Sequence, residues 1–441
     1  MALPRSLAPF RQRDYARFWF GAFVSNIGTW METVAVGILV TTKTGQAGWA
    51  GIVAAAGFVP SAFAGLLGGA LADRIPRRRL LITTMFIQMA LAALLTVLAA
   101  LDAAQPVGVT IIVFASGCAA AIGFPTYQAL LPDLVPAEDI PAAMALGAAQ
   151  WNLGRVVGPA LAGIVVGIGG FAWAFAFNTL SFVAVIAAVA PMRLPAPPPH
   201  SGESIRTSIS GGFRFVRRDA GVRAELTYLA LNSLLAAPFI ALIPAVALKV
   251  FDSEDLGTAI LVTAQGLGAV LMAVVLGGLS FRYGLRRVVL GAVLFLPFTL
   301  MAYAQAPTLG LAAVAIFFVG FAYLGCLSGV NTVAQMRAPA ALRGRVMSMN
   351  MLVLGTLYPI GAISQGWIAD SVGLRTTTFV AALALAVIVF GIRLLRPGFD
   401  REMGPAPVTE VPAAEDAASR TSDPPTPPPH HAVQHREEAP T

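Results

Sequence analysis

The stretch "GGALADRIPRRRL", residues 68–80, closes a long uncharged run with one aspartate and four arginines. A second apolar run begins at its last residue, Leu80. Long apolar runs that alternate with short charged segments are typical of membrane proteins, because charged loops lie outside the hydrocarbon core. We therefore interpret this stretch as a loop between two membrane-spanning helices.

The composition supports the same interpretation for the whole chain. Of the 441 residues, 57% are hydrophobic and 12% are charged, whereas a soluble domain is about 45–50% apolar and about 25% charged. We predict an all-α membrane protein with twelve transmembrane helices in two pseudo-symmetric six-helix bundles. The predicted helices span residues 18–41, 48–72, 80–101, 107–130, 142–167, 171–191, 224–249, 257–280, 288–304, 308–336, 346–368 and 375–395.

Four segments follow from these helices. Residues 1–191 form the N-terminal bundle, 192–223 a cytoplasmic linker, 224–396 the C-terminal bundle, and 397–441 a Pro-rich tail that we expect to be disordered. The linker holds a basic amphipathic segment that we expect to lie on the anionic lipid surface. The first apolar run starts at Phe18, is too long for a cleaved signal peptide, and should remain as a helix.

The distribution of basic residues predicts the orientation of the chain. With both termini in the cytoplasm, only Lys43, Lys249 and Arg375 of the 29 Lys and Arg residues lie outside, and Arg155 lies within a helix. The net charge of +7 is then a property of cytoplasmic loops. Nucleic acid is therefore not an expected partner, whereas the lipid bilayer is.

Side chains that carry enzyme chemistry are not arranged in any recognisable motif. Cys118 and Cys326 lie in apolar runs, and the four histidines lie in the linker and the tail. We find no serine elbow, phosphate-binding loop or metal motif. We predict that the chain is not an enzyme, binds no metal or cofactor, and draws energy from a proton gradient.

The two halves of the sequence repeat. A shift of 208 residues places Gly69, Arg74, Arg78 and Arg79 on Gly277, Arg282, Arg286 and Arg287, and a shift of 203 places Gly158 and Gly163 on Gly361 and Gly366. Two matching blocks at nearly one offset indicate a duplicated six-helix unit. Parallel repeats with a binding site between them at the midplane are a plan of secondary transporters.

The opening stretch resembles the cytoplasmic loop signature of the major facilitator superfamily. The matching residues are Gly69, Asp73, Arg74, Arg78 and Arg79, with Pro76 where glycine is usual. The second copy keeps Arg282, Gly284 and Arg286 but has Phe281 at the Asp position. In the family the aspartate contacts helix 11 and holds the cytoplasmic gate closed, so the resemblance implies a gating role for Asp73. The alternative is a loop that only sets topology.

Four further stretches narrow the resemblance. "SNIGTWMETVAVGILV", "GGALADRIPRRRLL", "LPDLVPAEDIPAAMAL" and "LRGRVMSMNMLVLGTLYPIGA" together look like the transmembrane secretion effector branch, whose members include enterobactin and macrolide exporters. The resemblance covers residues 10–396. It implies a multi-pass exporter in the inner membrane of a bacterial cell.

Helix 5 contains "GRVVGPALAG", residues 154–163, which resembles the antiporter signature of exporting members. Gly154, Gly158, Pro159 and Gly163 match it. We expect the glycines on one helical face, where backbones approach closely, and a bend at Pro159. The alternative is ordinary packing of small residues.

Two charged side chains lie within predicted helices. Glu32 sits in helix 1 beside a polar stripe of Ser25, Asn26 and Thr29, and Arg155 sits in helix 5. A charge at the midplane costs about 2.5–3.5 kcal/mol, so we expect these two to face each other. We interpret Glu32, the only acidic residue deep in a predicted span, as the proton-coupling carboxylate. A permanent structural ion pair is the alternative.

The resemblance implies that helices 1, 4, 5, 7, 10 and 11 line a central cavity. Its polar groups would include Tyr127, Gln128, Gln150, Asn152, Asn232, Asn331 and Gln335. The predicted function is proton-driven export of a small amphiphilic molecule, such as a drug or siderophore, by alternating access. An importer and a transport-inactive scaffold or sensor are the alternatives. The sequence leaves the substrate and the oligomeric state open.

Overall fold

The computed structural model describes residues 5–63, 75–192, 213–253, 255–339 and 342–404, and the regular secondary structure of these residues is helical, without a strand. Eleven of the described helices are long and apolar enough to cross a membrane, which confirms the predicted all-α class. The N-terminal half contains α1 (Arg13–Thr44), α2 (Ala47–Phe58), α3 (Arg77–Ala100), α4 (Pro106–Asp133), α5 (Ile140–Gly169) and α6 (Phe171–Val189).

The C-terminal half contains six further helices. They are α7 (Ala220–Phe251), α8 (Asp255–Tyr283), α9 (Leu285–Gln305), α10 (Leu309–Arg337), α11 (Arg343–Val372) and α12 (Leu374–Leu395). Most helices extend a few residues beyond the predicted bounds, because charged and polar residues at their ends continue the helix outside the apolar run. Helix α7 begins at Ala220, four residues before the predicted start.

Helix α7 is interrupted where the sequence predicts a continuous helix. An α-helical segment, Ala220–Leu231, is followed by a π-helical turn, Asn232–Ala236, and a second α-helical segment, Phe239–Phe251. Pro238 follows the turn and cannot donate a backbone hydrogen bond. Gln365 of α11 donates to the carbonyl oxygens of Leu234 and Leu235, at 3.0 and 3.1 Å, and so satisfies acceptors at the break.

Glycines with positive φ make the tightest turns. Gly170 joins α5 to α6 with φ of 80°, and Gly373 joins α11 to α12 with φ of 91°. These two positions differ by 203 residues, the offset of the internal repeat. Gly284 also has positive φ, 84°, whereas Pro76 at the equivalent place has φ of −50°. The two copies of the loop signature therefore enter their next helices by different backbone paths.

Each half has its own apolar core. In the N-terminal half, α1 packs on α6 and α5, and α3 packs on α6 and α4. In the C-terminal half, α10 packs between α8 and α9, and α12 packs on α9. The halves are joined mainly by α2 with α11 and by α5 with α8. The second segment of α7 also packs on α1 and α2, and α1 contacts α8. A site between the halves is therefore bounded by these helices.

The described part of the linker contacts protein on one side. Phe215 and Val216 pack against Val222, Ala334 and Val346 of the C-terminal half. The chain beyond α12 is also held against this half, since the Asp400 carboxylate accepts a hydrogen bond from Tyr228 at 2.7 Å.

Candidate functional site

The two halves are in close contact along one end of the bundle. We call the end where α1 begins and α12 ends the termini side, and the opposite end the far side. A methyl group at Gly51 of α2 would overlap the carbonyl oxygen of Ala362 on α11, and one at Gly366 would lie 2.9 Å from the carbonyl oxygen of Ala47. These contacts lie in the far half of both helices. The halves are therefore closed against each other there.

Asp370, near the far end of α11, holds this closure with three hydrogen bonds. Its carboxylate accepts from the backbone N–H groups of Ala47 and Gly48, both at 2.8 Å, and from Nζ of Lys249 at 2.9 Å. Ala47 and Gly48 are the first residues of α2, where backbone N–H groups lack partners within the helix and the helix dipole is positive. Asp370 therefore ties the N-terminal half to α7 and α11.

Asp370 was not among the residues predicted from the sequence. It lies two residues beyond the predicted end of helix 11, so it was assigned to a loop. Lys249 was assigned to the outside as a topological exception. The only indication in the sequence was that an acidic and a basic residue, Asp370 and Lys249, stand at the ends of two spans of the same half.

A second far-side pair lies entirely within the N-terminal half. Nζ of Lys43, in the last turn of α1, donates to Oδ1 of Asp102 at 2.8 Å. Asp102 lies in the turn after α3, and the hydrogen bond and charge of Lys43 lower the pKa of its carboxyl group. This pair resembles the Lys249 and Asp370 pair in chemistry but does not connect the halves.

Arg155 lies near the middle of α5, at the contact with α8. Its Nη2 donates to Oε1 of Gln265 at 3.2 Å, and its guanidinium carbon lies 5.7 Å from the centre of the Trp30 ring. Gln265 belongs to the C-terminal half and is buried. Among the residues that the structure describes, Arg155 is thus a cation that connects the two halves near the midplane.

Glu32 does not pair with Arg155, contrary to the prediction. Its Oε2 accepts from Nδ2 of Asn178 on α6 at 2.7 Å. Positions 30 and 32 are about 200° apart on a helix, so the face of α1 that carries Trp30 toward Arg155 turns Glu32 toward α6. The sequence could not identify Asn178 as a partner, since an asparagine in a neighbouring helix has no distinguishing pattern.

A second acidic residue, which was not among those predicted from the sequence, lies near the start of a span. Glu225 of α7 is fully buried, and its Oε1 accepts from Nδ2 of Asn350 at 2.9 Å. The same Nδ2 donates to Oδ1 of the predicted residue Asn331 at 2.8 Å. Oε2 of Glu225 and Oδ1 of Asn350 have no partner among the described residues. These three side chains form a polar network of α7, α10 and α11.

The remaining predicted polar residues are dispersed. Tyr127 donates to Oε1 of Gln150 at 2.9 Å, and Gln150 donates to the carbonyl oxygen of Trp19 at 2.9 Å, which joins α4, α5 and α1. Asn152 donates to its own helix at Ala148. Gln128 and Gln335 are exposed.

Four predicted residues of α1 and α7 have different surroundings. Ser25 is buried on the α1 face that packs on α6, and the carbonyl oxygen of Thr29 accepts from Thr33. Asn26 packs against Gly154 of α5. Asn232 is buried in the π-helical turn, and neither its Nδ2 nor its Oδ1 has a partner among the described residues. The predicted stripe on α1 is therefore divided between α5 and α6.

The loop signature is only partly described. Gly69, Asp73 and Arg74 lie outside the described residues. Arg78 and Arg79 are exposed in the first turn of α3, while Arg77 pairs with Asp133 at the end of α4. In the second copy Arg282 lies 5.4 Å from the ring centre of Tyr283, Arg286 is half-buried, and Phe281 is 96% exposed.

The glycines of α5 do not share one face. A methyl group at Gly158 would lie 2.6 Å from Cβ of Trp30, and one at Gly154 would lie 3.0 Å from Cβ of Asn26, so both face α1. Gly163 instead faces α8, where it approaches Ala259 and the carbonyl oxygen of Asp255. Pro159 is buried beside them. Small residues thus allow α5 to contact one helix from each half.

Within the ranges that the structure describes, no group of three His, Cys, Asp or Glu side chains is placed to hold a metal ion. Cys118 and Cys326 are both free thiols. The site between the halves is formed by amide, aromatic, guanidinium and carboxylate groups.

Comparison with known proteins assigns these features to a family. The model of a family described as transmembrane secretion effector matches residues 5–420. The multidrug efflux pump Tap of Mycolicibacterium fortuitum is 30% identical over 398 residues, which cover 85% of this chain and 93% of Tap. Macrolide efflux protein A of Streptococcus pyogenes is 26% identical and covers 81% of this chain and 89% of its own. The enterobactin exporter EntS of Citrobacter koseri is also 26% identical and covers 79% of this chain and 83% of its own.

Solved transporter structures have the same fold at much lower identity. A bacterial homologue of the human lysosomal transporter Spinster superposes with a TM-score of 0.71 at 14% identity and covers 90% of this chain and 99% of its own. A POT peptide transporter superposes with a TM-score of 0.71 at 15% identity and covers 89% of this chain and 96% of its own. The twelve-helix arrangement is therefore that of known membrane transporters.

Proposed function

Because this chain belongs to the transmembrane secretion effector family of the major facilitator superfamily, we propose that it exports a small amphiphilic molecule of the drug or siderophore type. Export proceeds by alternating access and is driven by the proton gradient. Family membership also confirms the predictions of a transport protein and of a chain that is not an enzyme.

The contact between α2 and α11 is the observation that supports alternating access. The Asp370 carboxylate binds the first two backbone N–H groups of α2, and glycines allow the two backbones to meet along the far half. These bonds connect separate six-helix halves, so a rotation of one half against the other would break them together. Packed interfaces of this kind have two discrete arrangements and are suited to gating.

The charges at the helix ends support placing the termini side in the cytoplasm. Lys43 and Lys249 lie in the last turns of α1 and α7, and Arg375 lies in the first turn of α12, all on the far side. Basic residues are otherwise concentrated on the termini side, as the positive-inside rule requires. We therefore infer a bacterial cytoplasmic membrane protein that is closed toward the outside in this structure.

Energy coupling is assigned to a carboxyl group within the membrane. Glu32 is bound by the neutral amide of Asn178, and no salt bridge of Glu32 occurs within the described residues. A carboxyl group without a fixed cation can exchange a proton as its surroundings change, which a permanent ion pair cannot do easily. Glu32 is therefore our candidate for proton coupling, with no cofactor required.

The test compares a strain that lacks this protein with the same strain complemented by the full chain. Accumulation of and susceptibility to a panel of drugs and siderophores are measured, and then uptake into inverted vesicles under an imposed pH gradient. An exporter lowers accumulation of at least one compound in cells and concentrates it in inverted vesicles. Higher accumulation in the complemented cells would instead identify an importer.

Two variants separate the parts of the proposal. Glu32→Gln should abolish transport that depends on the pH gradient, whereas Glu138→Gln, which removes an exposed carboxylate, should not. Full gradient-driven transport by Glu32→Gln would exclude Glu32 as the coupling group. Truncation after Gly404 should preserve substrate flux, whereas a scaffold that acts through the tail would lose its function.

A further inference from the structure

Arg155 is a cation near the midplane whose described contacts are all neutral. They include the amide oxygen of Gln265 and the face of the Trp30 ring, and the Tyr323 phenol also lies near this charge. The guanidinium has five N–H donors and stays protonated in proteins. The salt bridges among the described residues do not include Arg155. Its positive charge is therefore not neutralised by the part of the protein that the structure describes.

The polar groups beside Arg155 are also hydrogen-bond donors. Nε1 of Trp30, Nε2 of Gln265 and Nδ2 of Asn26 are buried and have no acceptor among the described residues. Gln265 is only 2% exposed. Because arginine can only donate, Oε1 of Gln265 must face Arg155, which leaves Nε2 of the same amide as a free donor. The region thus has an excess of donors and of positive charge.

Close helix packing holds these groups in one region. Asn26 and Trp30 lie against Gly154 and Gly158, the glycines that flank Arg155 on α5. Gly266, next to Gln265 on α8, lies near the carbonyl oxygen of Arg155. The donors therefore come from three helices, α1, α5 and α8, that meet around one turn of α5 at the boundary of the halves.

The carboxylate that could balance this charge points elsewhere. Glu32 is bound to Asn178 on the opposite side of α1. An unpaired buried charge destabilises the protein, and so does each buried donor without an acceptor. An anionic oxygen offers several lone pairs and a compensating charge, so it would relieve both costs. A cationic ligand would relieve neither and would be repelled.

Aromatic rings next to the donors indicate an organic anion. The rings of Trp30 and Trp151 lie edge to face with centres 5.9 Å apart. Trp151 is 42% exposed and provides an accessible apolar surface one turn from Arg155. A ligand with an acidic oxygen and an apolar ring could contact Arg155 and this surface together.

From this arrangement we propose that Arg155, Gln265, Trp30 and Asn26 form the binding site for the anionic oxygen of an aromatic carboxylate or phenolate. The exported molecule is then an organic anion. This inference rests on the proposed export function, because it names the chemical class of the substrate at the boundary between the halves.

The test uses two probes with the same apolar ring and opposite charge, 1-naphthoate and 1-naphthylmethylammonium. Binding to the purified full chain is measured by calorimetry and by tryptophan fluorescence. We expect naphthoate to bind at least tenfold more tightly than the ammonium probe. Arg155→Gln should weaken naphthoate binding by at least tenfold, and Arg155→Lys should preserve the preference for the anion.

Arg375→Gln is the matched control. Arg375 also donates to a carbonyl oxygen, that of Ala304, and lies 5.5 Å from an aromatic ring, that of Phe251, but on the far side. Its removal should leave naphthoate binding unchanged. Equal binding of the two probes, or equal weakening by Arg155→Gln and Arg375→Gln, would overturn the proposal. Displacement of naphthoate by an equal concentration of inorganic phosphate would likewise overturn it, by indicating a site for inorganic anions.

These outcomes are distinguishable from failure of the export proposal. Selective anion binding without gradient-driven transport of any compound would preserve the anion site and refute the proposed export. Gradient-driven export of cations that is unaffected by Arg155→Gln would preserve export and refute the anion site. Trp30→Phe tests the site without changing any charge, and it should weaken naphthoate binding by at least about tenfold, since one donor to a charged acceptor is lost.

Discussion

Replacing Asp370 with asparagine should open the far side of the transporter. The wild-type carboxylate accepts hydrogen bonds from the backbone N–H groups of Ala47 and Gly48 and from the ammonium group of Lys249. Asparagine has the same shape but offers a single acceptor oxygen and no charge. One backbone hydrogen bond at the start of α2 and the bond to Lys249 are therefore weakened or lost.

The size of the effect follows from the exposure of each partner. Asp370 is 17% exposed, so the loss of one charge-assisted bond to the start of α2 should cost about 1.5 kcal/mol. Lys249 is 35% exposed, and a salt bridge at that exposure contributes only about 0.5 kcal/mol. The closed far side should lose about 2 kcal/mol relative to the open state, which shifts the ratio of the two states about 30-fold.

The shift can be measured as a distance between the halves. Ile168 and Val372 are exposed at the far ends of α5 and α11, so spin labels can be attached there in a background without Cys118 and Cys326. Pulsed electron resonance should give one short distance for the wild type. Asp370→Asn should add a population at longer distance.

Asp102→Asn provides the matched control, because it breaks the Lys43 pair within the N-terminal half alone. Its distance distribution should equal that of the wild type. An unchanged distribution for Asp370→Asn, or an equal change for Asp102→Asn, would refute the assignment of Asp370 to closure of the far side.

Three further predictions concern the packing and charge of the two halves. Glu225→Gln should unfold at the wild-type temperature, because its amide can donate to the unpartnered oxygen of Asn350. Glu225→Ala should instead lower the free energy of unfolding by about 2–3 kcal/mol. Thermal unfolding of the purified protein measures both, and equal destabilisation by the two variants would contradict the prediction. Gly51→Val should insert into the membrane normally but lose transport, since its side chain would overlap α11. Gly108→Val, where the structure has open space, should transport normally. Transport by both variants would show that the close contact between α2 and α11 is not required. Burial opposes the charge of Asp219, but the hydrogen bonds and charge of Arg337 outweigh it and lower the pKa of Asp219. Its stabilising effect is therefore present above pH 3.8, the ordinary pKa, and is lost as the pH falls through the lowered value. Asp219→Asn should thus unfold at a lower temperature than the wild type at pH 7, and the difference should shrink as the pH falls below 3.8. A difference that stays constant as the pH falls would be inconsistent with this pairing.

Much of the fold could be predicted from the order of residues. Apolar runs located the helices, and the repeat at offsets 208 and 203 indicated two equivalent halves. The loop signature and the Gly-Pro motif of α5 indicated the family. These features are local, because the bilayer requires each span to be apolar and to satisfy its own backbone hydrogen bonds.

The partners of the charged residues could not be predicted in the same way. Glu32 and Arg155 were correctly placed within spans, but Glu32 contacts Asn178 and Arg155 contacts Gln265. Glu225 lies only two residues beyond Arg223, the last residue of the predicted basic linker, and so fell at the very start of a predicted helix. Its burial by Asn350, 125 residues away, has no signature in the local sequence.

The sequence by itself determined that the chain is a duplicated twelve-helix membrane transporter, because hydropathy and loop charge act on each segment separately. Only the tertiary structure decided which face of each helix meets which neighbour. That choice depends on the rotation of every helix about its axis and on side-chain packing between segments far apart in the chain. It brings the Asp370 carboxylate of α11 against the first residues of α2, and it surrounds Arg155 with hydrogen-bond donors. The proposals on gating and on the charge of the substrate rest on these two arrangements.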